Sequence, residues 1–120
     1  MHNYKELKIW QKARLLVKSC YALTVTMPKE EKFGLISQIQ RAAVSIPSNI
    51  AEGSGKSSSK DFCRYLEIAI SSAFELETLI LLASDLKFIE DEKSNTICAN
   101  IREIQKMIYS FKNTILEKNN

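Results

Sequence analysis

Glycine, proline and histidine are almost absent from this chain of 120 residues, with three, two and one copies respectively. All the glycines (Gly34, Gly53, Gly55) and both prolines (Pro28, Pro47) fall between positions 28 and 55, so residues 56–120 carry no strong backbone breaker. That excludes a multi-stranded sheet with its frequent tight turns. Long apolar runs are missing too. The longest, Leu79 to Ala83, is far below the roughly 20 residues that span a bilayer. The first residues, Met1-His-Asn-Tyr-Lys-Glu-Leu-Lys8, place charge where a signal peptide needs apolar side chains, and a cytoplasmic location is the expectation. Three cysteines, Cys20, Cys63 and Cys98, are an odd number at wide spacing, which suits reduced packing thiols rather than a disulfide framework.

The missing histidines matter for chemistry. With His2 as the only imidazole, near the start of the chain, neither a Cys-His nucleophile pair nor a histidine metal cluster can be built within the fold. Glu75 and Glu77 are two residues apart and point to different sides of a helix, and no Glu-x-x-His motif occurs. No enzyme activity, no metal and no cofactor are therefore expected. Gly53-Ser-Gly-Lys-Ser57 invites comparison with a nucleotide-binding phosphate loop, but that motif needs a further glycine where Ile50 stands, and a preceding strand.

What the chain has is helical periodicity. Ile9, Ala13, Leu16, Cys20, Leu23 and Met27 recur at alternating spacings of four and three, with Trp10, Val17 and Tyr21 widening the face. Ile36, Ile39, Ala43, Ile46, Ile50 and Gly53 repeat the rhythm. Phe62 to Ala83 and Ile97 to Ile115 continue it. The spacing predicts helices over about 5–27, 33–53, 58–87 and 91–117, with Pro28 closing the first, Ser58 capping the third, and acidic Glu90, Asp91 and Glu92 at the positive start of the fourth. Pro47 inside the second stripe predicts a kinked helix. The expected fold class is all-α: one domain over residues 1–120, an antiparallel up-down-up-down four-helix bundle.

Charge is unevenly divided. Residues 1–64 hold eleven Lys/Arg against five Asp/Glu, whereas residues 65–120 hold six against nine. A basic first half is what phosphate backbones or acidic proteins select. Its candidate nucleic-acid contacts are Lys5, Lys8, Lys12, Arg14, Lys18, Lys56, Lys60 and Arg64. Beside the apolar stripe of the second helix runs a polar one, Gln38, Arg41, Ser45, Ser48 and Glu52. It reads either as the edge of a solvated face or as an interface to a second copy, in which Arg41, Asn49 and Glu52 meet partner groups.

The run from Phe33 to Gly53, FGLISQIQRAAVSIPSNIAEG, strongly resembles the signature of the four-helix-bundle proteins encoded in intervening sequences of bacterial 23S ribosomal RNA. The opening YKELKIWQKA (Tyr4–Ala13), YLEIA (Tyr65–Ala69) and ELET (Glu75–Thr78) look like the same family. The chain is similar, too, to the accessory variability determinant of diversity-generating retroelements, a ring-shaped homopentamer that associates with its reverse transcriptase and binds nucleic acid. The resemblance implies a homo-oligomer, a pentameric ring, without enzymatic activity, binding RNA or DNA or a protein partner such as a reverse transcriptase, and no membrane. Arg41, Ser45, Pro47, Asn49, Glu52 and Gly53 fall on the family motif, where the resemblance assigns them to fold and subunit contact. The chain departs from the pattern at Gln40, where many relatives carry a second basic residue.

Overall fold

Every apolar stripe read from the sequence is turned inward in the computed structural model, which describes residues 2–118. Four helices carry them: α1 (Lys8–Val25), α2 (Leu35–Ser54), α3 (Ser59–Asp85) and α4 (Asp91–Lys118). Among the described residues there is no strand. The molecule measures 48 × 22 × 20 Å, its long dimension set by α3 and α4. Packing runs around a square: α1 touches α2 and α4, α3 touches α2 and α4, and the diagonal pair α1 and α3 share no contact. One core results, with Ile39, Ile46, Ile50, Leu66, Leu76, Ile80, Ile101 and Ile108 fully buried.

The helix ends differ from the sequence expectation for local reasons. α1 begins at Lys8 rather than near residue 5, because Leu7 is extended and Tyr4–Glu6 forms a separate 3-10 turn capped by the Asn3 carboxamide oxygen, which accepts from the Lys5 amide at 3.2 Å. It ends at Val25, ahead of Pro28: the Thr26 hydroxyl donates to the Leu23 carbonyl at 2.7 Å and closes the last turn. A second 3-10 turn, Lys29–Glu31, leads to α2, which starts at Leu35 instead of Phe33. The Glu31 carboxylate accepts from the Leu35 amide at 3.3 Å and serves that helix start.

α2 runs unbroken from Leu35 to Ser54, through Pro47. Gly53 lies where α2 crosses α3: a Cβ there would come within 2.6 Å of the Tyr65 Cβ and 3.0 Å of Phe62 Cδ1. Ser58 caps α3 as its spacing predicts, its hydroxyl accepting from the Asp61 amide at 3.1 Å. The α3–α4 break is made without glycine. Lys87 takes a left-handed conformation (φ 65°), and the amides of Lys87 and Phe88 return to the Ser84 and Ala83 carbonyls at 3.0 and 2.9 Å. Composition gave no signal for that turn, since the residue in the left-handed well is a lysine.

Short connections make the bundle antiparallel, so α1 and α3 start at the same end. The N-terminal segment seals that end. The His2 amide donates to the Ser54 carbonyl at 3.2 Å, and its ring lies 5.2 Å from Phe62 and 6.0 Å from Phe111, centroid to centroid.

Candidate functional site

The basic candidates separate into two groups. Lys8, Lys12, Arg14 and Lys18 are the only charged residues of α1, which carries no carboxylate, and all four are exposed. Lys12 is already engaged, its ammonium 2.7 Å from the Glu103 carboxylate of α4. Arg14 lies 5.4 Å over the Trp10 ring. Among the described residues Lys8 and Lys18 have no ion-pair partner. Lys5, Lys56, Lys60 and Arg64 are brought by the antiparallel topology to the end where α1 and α3 begin. There Lys56 and Arg64 flank one aromatic ring, at 5.0 and 5.9 Å from Tyr65. Asp61 offsets part of this charge, 3.7 Å from Arg64. Lys5 and Lys60 are exposed and, among the described residues, pair with no carboxylate. Lys18 stands ten residues along α1 from Lys8, about 15 Å away, and does not belong to this end.

The motif residues of α2 also divide. Ser45 and Asn49 face α3: Ser45 Oγ is 2.7 Å from Ser72 Oγ, and the Asn49 amide nitrogen donates to the Ser45 carbonyl at 2.8 Å and to its hydroxyl at 2.9 Å. Asn49 therefore spends its donors within the subunit, unlike Arg41 and Glu52, which are exposed and make no ion pair among the described residues. Pro47 is half-buried beside Trp10, Val17 and Val44, in the groove between α1 and α2. Gly53 is buried at the α2–α3 crossing. Sequence reading missed Ser72, and it takes Tyr65 for a core aromatic rather than a base-stacking platform, whereas the ring is only half-buried and lies beside Lys56 and Arg64. Ser72 was legible only as one small residue among Ala69 and Ala73, and Tyr65 only as an aromatic beside Arg64.

The glycine-serine loop lacks the strand that precedes a nucleotide-binding phosphate loop. The amides of Gly55 and Lys56 donate to the Glu52 and Gly53 carbonyls, those of Asp61 and Phe62 to Ser58, and the loop follows a helix. Glu77 is tied up by Arg102 at 2.8 Å and Gln105 at 3.3 Å across the α3–α4 contact. Among the described residues no three His, Cys, Asp or Glu side chains converge on a metal-sized site.

All three cysteines are buried free thiols, and burial pushes the pKa of each up, so that each ionises less readily. Cys20 is pushed up to about 12, by loss of water first and by neighbouring Cys98 second. A thiol that ionises harder when folded favours the folded state until the unfolded thiol, near 9, begins to deprotonate. The contribution is complete below pH 9 and falls away as pH rises from about 9 to 12. Iodoacetamide at pH 8 is expected to leave Cys20 unmodified in folded protein and to label all three cysteines in guanidinium. Rapid labelling of Cys20 without denaturant would contradict this burial.

The fold and its surfaces define an antiparallel four-helix bundle with exposed charge arranged by helix, and no helix long and apolar enough to cross a membrane. The family model described as 23S rRNA-intervening sequence protein matches residues 5–110, and the chain belongs to that family. A solved structure of a protein of unknown function from the S23 ribosomal protein family of Bacteroides thetaiotaomicron is similar over 87% of this chain and 97% of that one, at 27% identity and a TM-score of 0.78. No curated protein matches.

Proposed function

We propose that this chain is a non-enzymatic, oligomeric bundle that binds RNA or DNA through the phosphate backbone, at the end where α1 and α3 begin. The observation that carries this reading is the cluster of Lys56 and Arg64 around Tyr65, with Lys60 exposed at the start of α3 and Lys5 brought to the same end. Cations flanking an aromatic ring combine what a nucleic-acid strand offers, negative oxygens and flat bases. No base edge is read by such a cluster. Binding is therefore tolerant of sequence and steep in salt.

Fluorescence anisotropy with a labelled single-stranded RNA tests it. Three phosphate contacts predict a loss of roughly twentyfold in affinity between 50 and 200 mM salt, since the logarithm of affinity falls by about 0.7 per contact per decade on single strands. Lys56→Ala/Lys60→Ala is expected to weaken binding to every sequence alike. No binding at 50 mM salt, or binding indifferent to salt, removes the proposal. Oligomerisation is supported by apolar side chains left outside the core, including Leu15, Val25, Phe74 and Leu82.

A further inference from the structure

Trp10, the single tryptophan of the chain, is half-buried on a groove between α1 and α2 rather than sealed in the core. The groove has a volume of about 780 Å³, the size that takes one nucleotide or a molecule like it. Its floor is apolar, made by Val17 of α1 with Val44, Pro47 and Ala51 of α2. Trp10 forms a wall, and Tyr4 from the first 3-10 turn meets it in a T-shaped contact, centroids 5.2 Å apart. Lys5 and Arg14 stand on the rim, and among the described residues no carboxylate lines the groove.

An apolar slot walled by aromatic rings and rimmed only by cations is complementary to a flat ring that carries negative charge. Arg14 is exposed, lies 5.4 Å over the Trp10 ring and has no ion pair among the described residues. An entering ring can therefore displace it from the indole and have the guanidinium close over the opposite face. The groove also continues into the lysine-rich end: its floor reaches Ala51, five residues before Lys56, and Lys5 belongs to both. A groove of similar volume between α3 and α4, about 800 Å³ with Phe74 and Tyr109 on its walls, lacks this complementarity. Glu67 lines it, and its Lys112 is held 3.8 Å from that carboxylate.

We infer that the α1–α2 groove takes one unpaired base of a nucleic-acid strand, stacked on Trp10 under Arg14, while the neighbouring phosphates lie on Lys5, Lys56 and Lys60. This rests on the nucleic-acid reading above and adds the class of nucleic acid to it: single-stranded, or carrying an unpaired nucleotide. Bases within a duplex are stacked on one another and have no free face to offer, so a duplex reaches the lysines but not the groove. Stacking uses the face that every base has, and the site therefore selects strandedness and not sequence.

Because Trp10 is the sole tryptophan, its emission reads the groove directly, while anisotropy of a labelled strand reads binding as a whole. Short single-stranded oligoadenylate is expected to quench Trp10 with the same midpoint as the anisotropy change. An abasic backbone of equal length is expected to bind roughly tenfold more weakly, the loss of one stacked base, and to leave the emission unchanged. A duplex of that length should leave it unchanged too. Ser48→Leu, at an exposed position on the groove, fills it without altering charge; the salt dependence should persist while the quenching disappears. If dichroism shows that variant unfolded, Val44→Phe, also exposed on the groove, replaces it. Salt-steep binding with no quenching, or equal quenching by the abasic strand or the duplex, overturns the groove and leaves the phosphate contacts standing. So does a folded groove-filling variant that still quenches. Quenching with binding indifferent to salt keeps the groove and removes the lysine-rich end, whereas no binding at low salt removes both. An acidic peptide carrying phenylalanine that quenches Trp10 more tightly than oligoadenylate overturns the inference in favour of a protein occupant.

Discussion

Gly53→Ala lowers the melting temperature by roughly 8 °C, the largest loss expected from removing so small a difference as one hydrogen for a methyl. Alanine is the better helix former, by about 1 kcal/mol, so propensity alone predicts the opposite sign. Space decides against it. The new Cβ would lie 2.6 Å from the Tyr65 Cβ and 3.3 Å from the Phe62 carbonyl oxygen, both fixed to the α3 backbone and unable to rotate aside. Relief requires α2 and α3 to separate, which also stretches the Ser45–Ser72 hydrogen bond of 2.7 Å along the same contact. Overpacking of this kind costs about 1–3 kcal/mol. With a backbone-anchored clash the upper part of that range applies, and a net loss of about 2 kcal/mol corresponds to the stated shift at this chain length. Gly55→Ala is the control, since its Cβ would meet nothing nearer than the Glu52 carbonyl at 3.6 Å. Thermal melts followed by dichroism separate the two. An unchanged midpoint for Gly53→Ala would show that the crossing has slack.

The four stripes were legible because burial in a bundle imposes one period on every helix, and a residue such as Ile80 or Ile101 keeps its place whatever surrounds it. Ends were less legible. Leu7 breaks α1 from the preceding turn without a capping side chain, and Lys87 takes a conformation that glycine usually supplies, so neither end has a compositional signal. Tyr21 was read as part of the α1 face, yet it is 43% exposed, because at the edge of a stripe the depth of burial depends on how closely the neighbouring helix approaches.

Sites are harder, because they depend on pairs from different helices. Lys12 and Lys18 have the same residue type on the same helix, and only the fold distinguishes them: one is spent on Glu103, the other has no ion-pair partner among the described residues. Likewise, Asn49 shares a motif with Arg41 and Glu52 but turns its amide inward to Ser45. The excess of cations in the first half was visible by counting. Its sorting into an α1 face and a lysine-rich end required the topology.

Pro47→Ala is expected to act in the other direction from Gly53→Ala and stabilise the isolated bundle. α2 stays helical through Pro47, which supplies no N–H for the Ala43 carbonyl, and a proline in a helix interior costs about 3 kcal/mol against alanine. Two effects offset that gain. The half-buried ring touches the groove beside Trp10 and Val17, worth about 1 kcal/mol of apolar burial, and removing proline frees the unfolded chain by roughly 0.4–1 kcal/mol. A net gain of about 1–2 kcal/mol remains, seen as a rise of roughly 4–8 °C in the melting temperature. A fall instead would mean that ring packing in the α1–α2 groove outweighs the missing donor. A rise identifies a residue that costs the fold stability at a position between exposed Arg41 and Glu52, whose charged groups make no ion pair among the described residues.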